Sequence, residues 1–284
     1  HVYKDKCYDA LFTRSLGWNG GDGVQTTLLP GGHVFWSFND SFYGRATDAS
    51  SRIRRSSNFP RNSLMVQTPG EDGLPGAEDT NFVWLADWVQ REDSTAEGYY
   101  HCRTHLRHPN GEKTEAQIRQ GEIDQTWLYW AGDATVVDGC LQMLWAGVYN
   151  GTQNLMQPRN RALAVYSLEG KPGSPEYLKL ISVDHNFIVH DPIGYGSTLW
   201  EDEDGHTYLY ACYQFRKNAG DLLNTSSPVV ARSRTHDLRS PWEYYVADAS
   251  GKFHWQNTYP TPEEARRSAI SSKSVATPWV FKDG

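Results

Sequence analysis

Asp22 and Asp40 are the residues of this 284-residue chain whose spacing first suggests chemistry. The segment GVQTTLL-PGG-HVFWSFNDSF, residues 23 to 42, reads as two strands joined by the three-residue loop Pro30-Gly31-Gly32, which pairs Leu29 with His33. Stepping back along both strands sets Asp22 opposite Asp40. Two carboxylates facing each other across a strand pair repel by several tenths of a kcal/mol or more, roughly, and by more when half buried. Such a pair persists for chemistry, for a cation or for an arginine partner. The plainer alternative is that one acid caps a loop while the other is solvated.

The elements that must position these acids are β-strands. Apolar and aromatic residues come in short runs separated by glycine-containing turns, and no segment sustains a 3.6-residue period over three turns. Asp138-Gly139 and Asp204-Gly205 sit between strand-like runs at 133–149 and 195–213, the signature of type I′ hairpins. Inner-strand starts recur near 22, 62, 133, 194 and 273. Together they predict an all-β, five-bladed β-propeller in a single domain over 1–284, with blades starting near 18, 61, 127, 191 and 271. The last blade stops at its turn and reads as incomplete at the C-terminus. Residues 1–14 read as one or two strands closing the ring. The polar stretch 88–125 reads as a strand pair with long surface loops, and its histidines 101, 105 and 108 as surface residues despite their metal-like spacing.

Propellers place functional groups where inner strands enter the central channel. The entrance residues are then Asp22 and Asp40 with Trp18; Arg61 and Asn62; Trp130 and Asp133; His190, Asp191 and Tyr195; and Lys273. The acidic run Glu201-Asp202-Glu203 falls at a turn, with Glu201 opposite Tyr208, and reads as solvated. Several carboxylates, a histidine, two cations and aromatic rings around one channel suit a sugar. Aromatic faces take its C–H surfaces, acids and amides take its hydroxyls, and glycosidic cleavage needs two carboxyl groups in opposite protonation states. No Walker loop, G-x-S-x-G elbow or H-E-x-x-H helix competes with this reading.

Composition sets the outer bounds. With 27 Lys and Arg against 34 Asp and Glu the formal net charge is −7, which argues against a nucleic-acid partner. No stretch approaches the roughly 18 to 20 apolar residues that cross a bilayer, so no membrane partner is expected. Cys7, Cys102, Cys140 and Cys212 lie far apart without a CxxC pair and could form two disulfides or none. The tripeptides beginning at Asn39, Asn150 and Asn224 match N-glycosylation acceptors and, with the even cysteine count, favour a secreted or periplasmic protein.

The segments GWNGGDGVQTTLLPGGHVFWSFNDSFYG, YWAGDATVVDGCLQMLW and YGSTLWEDEDGHTYLYA resemble the five-bladed propeller domains of unknown function 5005 and 4185, distant relatives of the arabinanase, β-xylosidase and invertase-like furanosidases. The resemblance runs from about Gly17 to Gly284. It implies a glycoside hydrolase acting on a furanose-containing or cell-wall polysaccharide, and a monomer is expected. Asp22 would be the base or nucleophile and Asp40 or Asp133 the acid or its modulator. Trp18, Arg61, Asn62, Trp130, His190, Asp191, Tyr195 and Lys273 would bind substrate. The later glutamate acid of those enzymes has no match, since the fourth entrance offers Asp191. The resemblance requires no cofactor, leaves the metal question open and admits a structural calcium in the channel. A lectin-like, non-catalytic carbohydrate-binding propeller is the alternative, and a scaffold for protein partners a third.

Overall fold

The computed structural model describes residues 3–14, 16–45, 59–85, 88–90, 100–119, 122–151, 156–214 and 226–269. Two compact units are present, His1–Val189 and His190–Gly284.

The first unit opens with a helix, α1 (Lys6–Phe12), where the sequence reading expected strand. The reason is local. Asp5 accepts hydrogen bonds from the N–H groups of Cys7 and Tyr8, and Tyr8, Leu11 and Phe12 share one face at helical spacing. Strands β1 (Leu16–Gly21), β2 (Gln25–Leu29), β3 (His33–Phe38), β4 (Ser41–Arg45), β5 (Ser63–Gln67) and β6 (Phe82–Trp84) follow. They form a β1–β4 pair and an antiparallel sheet in the order β2-β3-β5-β6. The run from 61 therefore does not begin a new sheet: β5 lies against β3, from Val34 opposite Gln67 to Phe38 opposite Ser63. All five residues of β5 are buried, so the strand carries the apolar look of an inner strand while occupying the third position.

Burial on both faces explains that density. Phe35, Leu64 and Val66 point into one core, and Phe38 and Met65 point the other way, toward Leu11 and Trp18. Strands β7 (Trp88–Gln90) and β8 (Tyr100–Cys102) pair with each other, and the short helix α2 (Glu115–Arg119) follows. A second antiparallel sheet is the meander β9 (Trp127–Val137), β10 (Cys140–Tyr149), β11 (Gln157–Ser167) and β12 (Leu180–Ile188). Its β9–β10 turn has positive φ at Asp138 (48°) and Gly139 (74°), the type I′ geometry that Asp-Gly favours. Tyr129, Trp145 and Tyr166 from this sheet are fully buried with Phe35, Leu64 and Val66. Burial of Phe35, Leu64 and Val66 contributes roughly 1.5–3 kcal/mol for each side chain.

The second unit is a five-stranded antiparallel meander, β13 (Thr198–Glu201), β14 (Thr207–Gln214), β15 (Ser226–Ser233), β16 (Trp242–Ala247) and β17 (Phe253–Gln256), followed by α3 (Pro262–Ser268). Here the expected two-residue turn is replaced. Glu201 pairs with Thr207, one residue short of Tyr208. Gly205 N–H donates to Asp202 and Asp202 N–H to the His206 carbonyl, closing a three-residue loop with Gly205 at φ 87°. The Asp204 carboxylate favours this loop by accepting from Tyr208 Oη (2.7 Å) and the His206 N–H (2.9 Å). The acidic run at 201–203 borders this turn, with Glu201 and Glu203 exposed. The segment from 271 lies outside the described residues.

Candidate active site

Asp22 lies in the short connector between β1 and β2, and Asp40 in the connector between β3 and β4. Registers on either side agree: Gln25 faces Ser37 in one ladder, and Gly21 faces Ser41 in the other. Between them the Asp22 N–H donates to the Asp40 carbonyl (3.2 Å) and the Asn39 N–H to the Asp22 carbonyl (2.9 Å). The two aspartates therefore sit opposite one another where one sheet hands over to the next. Gly23 makes the connector possible. Its φ is +57°, and a Cβ there would collide with the Asn39 side-chain amide.

The two carboxyl groups have unlike surroundings. Asp40 is largely buried, its side chain 16% exposed, and Arg61 Nη1 lies 3.2 Å from each of its oxygens. Trp130 Nε1 donates to Asp40 Oδ1 at 3.3 Å. Arg61, 8% exposed at its side chain, is itself fixed: its Nε donates to the Asp124 carbonyl (3.2 Å) and its backbone N–H to Thr104 Oγ1 (2.9 Å). Asp22, by contrast, is exposed. The protein on its inner side still removes enough water to raise its carboxyl above the ordinary value, and the Asp40 charge raises it further, against a backbone N–H of Asp40 that pulls it down.

Strand β9 is bolted to this corner at two points. Asn39 Oδ1 accepts the Ala131 N–H (2.7 Å), and Thr27 Oγ1 donates to the Ala134 carbonyl (3.3 Å). Asp133 falls between those bolts, on a bulge in which Gly132 and Asp133 together oppose Leu144. Its Oδ1 accepts the Ala134 N–H at 2.8 Å. The structure thus gathers Asp22, Asp40, Arg61 and Trp130, with Asp133 on the strand docked against them.

Other residues expected at the site have different places. Trp18 is buried, stacked on Trp84 (5.2 Å between ring centroids, 20° between planes) and tilted against Phe38, so its faces serve the core. Asn62 is wholly buried and its amide is a tie: it donates to the Leu106 and Tyr129 carbonyls and accepts the Leu106 N–H, all at 2.9 Å. In the second unit His190 is exposed, while Asp191 is buried and accepts from Tyr259 Oη (2.6 Å) and the Gly194 N–H (2.8 Å). Tyr195 is buried against Tyr244 and Tyr259. Lys273 lies outside the described residues.

Sequence reasoning missed Asn39, Thr104 and Asp124, the residues that hold Arg61 and β9. It also misplaced two histidines. His105 lies against Trp145 and Tyr166, and burial pushes its imidazole down to about 4; His108 is buried on Trp127 and Tyr129. Both rings pack against the β9-β10-β11 sheet instead of standing free on the surface. Among the described residues no three His, Cys, Asp or Glu side chains converge as a metal cluster. All four cysteines are free thiols, and the Asn39 side chain, one of the glycosylation tripeptides, is engaged with β9. No described helix is long and apolar enough to cross a membrane.

An all-β protein with a differentiated carboxyl pair at a strand junction is the class these features define. The chain belongs to the family described as Domain of unknown function (DUF5005), matched over residues 5–284. It is similar to the crystal structure of a "putative hydrolase" from Bacteroides ovatus ATCC 8483, with 53% identity and a TM-score of 0.83. That match covers 94% of this chain and 61% of the other, so the chain spans about three fifths of that relative. Levansucrase from Gluconacetobacter diazotrophicus matches at 12% identity and a TM-score of 0.36, over 81% of this chain and 51% of that one, too low a likeness to bear on fold or activity. No curated protein matches the chain.

Proposed function

We propose that this protein is a glycoside hydrolase acting on a polysaccharide or oligosaccharide, furanose-containing substrates first among them. The observation that carries this reading is the unequal pair, Asp22 exposed with raised proton affinity and Asp40 clamped by Arg61 and Trp130. A carboxyl tuned upward toward the working pH is the better general base, because a base serves best when its pKa lies near that pH. Asp22 is assigned that role, or the nucleophile's, since it is the open member of the pair. Asp40, held by its donors, fixes the local charge and keeps Asp22 tuned. Asp133, on strand β9 between its two ties to Asn39 and Thr27, is assigned as the proton donor to the leaving oxygen. The hydrolase relative supports the reaction class, and the antiparallel sheets β2-β3-β5-β6 and β9-β10-β11-β12 support our reading of the scaffold as blades of a five-bladed propeller.

The test is reducing-sugar release from arabinans, galactans, xylans, fructans and fungal walls by the wild type and by Asp22→Asn. Loss of release in the variant by at least about a hundredfold supports the assignment. Undiminished turnover removes Asp22 from the mechanism. Binding of a glycan with no release from any member of the panel replaces the hydrolase by a carbohydrate-binding module.

A further inference from the structure

A second polar site lies in the first unit, in the stretch read from sequence as surface loop. Trp84, Leu85, Arg103, Thr104, Arg107 and Glu115 line an open cleft of about 530 Å³, within the size range of pockets that take small ligands. Its centre is one carboxylate held by two guanidinium groups. Glu115 Oε1 accepts from Arg107 Nη1 at 3.0 Å, and Glu115 Oε2 lies 3.4 Å from Arg103 Nη1. The arginines are mostly buried, with side chains 24% and 27% exposed, whereas Glu115 is 59% exposed on the five-residue helix α2.

The two sides of this contact differ in rigidity. Arg107 is anchored from behind by the buried Asp124, which accepts from its Nε (3.0 Å) and Nη2 (2.9 Å) and also from the Lys113 N–H (2.6 Å). The guanidinium is pre-set in the geometry that binds a carboxylate. Glu115 has an exposed side chain on a short helix, so its departure disturbs little buried structure. Charge points the same way: Asp124 pairs with Arg107 on its inner side, and Glu115 is the acid that meets both guanidinium groups at the cleft. Asp124 also joins this cleft to the candidate active site, because its carbonyl accepts from Arg61, the arginine on Asp40.

We infer that the cleft is a binding site for the carboxylate of an acidic sugar, a hexuronate unit, with Glu115 occupying the carboxylate position until the ligand displaces it. The sugar part of this inference rests on the proposed carbohydrate function; the carboxylate part rests on the paired arginines alone. Titration calorimetry with free D-glucuronate and D-galacturonate, beside D-glucose and acetate, tests it on the intact chain. Glu115→Ala should tighten uronate binding about tenfold by removing the internal competitor, and Arg103→Met should weaken it about tenfold by removing a charge-assisted donor. Glucose should bind neither better nor worse in either variant. Uronate affinity unchanged in Glu115→Ala, a variant at an exposed position that retains the fold, would overturn the inference, as would acetate binding as tightly as uronate. Failure here with neutral glycans still hydrolysed sinks only the acidic-sugar site; uronate binding with no glycan hydrolysed sinks only the hydrolase.

Discussion

Replacing Arg61 by methionine isolates what the Asp40 clamp contributes. Methionine keeps most of the buried stem volume and removes the guanidinium whose Nη1 contacts both Asp40 oxygens and whose Nε holds the Asp124 carbonyl. Asp40 would keep only the Trp130 indole donor of these contacts, with its side chain 16% exposed. Breaking a buried ion pair from one side costs about 3–5 kcal/mol, because the remaining charge is left without a counter-charge in a poorly hydrated place. The retained indole bond and residual water place this case near about 3 kcal/mol. Equilibrium urea unfolding followed by tryptophan fluorescence at pH 7 reads the loss directly. Adding Asp40→Asn to the variant should recover a large share of the loss at pH 7. A loss under about 1 kcal/mol, or one that Asp40→Asn does not relieve, would refute the view of Asp40 as a buried charge neutralised by Arg61.

Three further outcomes follow from the same geometry. Because Asp22 has a raised carboxyl, its ionisation opposes folding, so Asp22→Asn should raise the melting temperature at pH 7 and leave it unchanged below the ordinary value of 3.8; a melting temperature lowered at pH 7 contradicts the shift. Gly23→Ala forces a Cβ against the Asn39 amide at positive φ and should cost about 2 kcal/mol or more while displacing the Asn39 contact to Ala131; retention of full stability would show that the connector yields freely. Asn62→Leu strands the Leu106 N–H and two carbonyls in the interior and should destabilise by about 3 kcal/mol or more, whereas a changed KM at intact stability would return Asn62 to the substrate-binding set.

How far the sequence could be read depended on whether a signal was local. The Pro30-Gly31-Gly32 loop and the Asp138-Gly139 turn encode their own geometry in residues that tolerate positive φ, and register then follows along the strands. Asp22 opposite Asp40 is a consequence of that arithmetic. At Asp204-Gly205 the same dipeptide made a longer loop, because neighbouring side chains competed for its backbone groups. Helix α1 escaped notice since seven residues fall short of the window in which helical period stands out, although its cap and its apolar spacing were both written in the chain.

The β class, the central hairpins and the facing aspartates are legible in the chain alone, because turn chemistry and two-residue alternation act over a few neighbouring residues. Folding in three dimensions is what joins β5 to the first sheet, turns Trp18 and Asn62 to the interior, and brings Arg61 and Trp130 onto Asp40. It also gathers Arg103, Arg107 and Glu115 into a cleft. Those outcomes depend on which strand edge a returning chain meets and which face of a sheet another layer covers. Partners 21 and 90 residues from Asp40 in sequence leave no periodic trace for a one-dimensional reading to find.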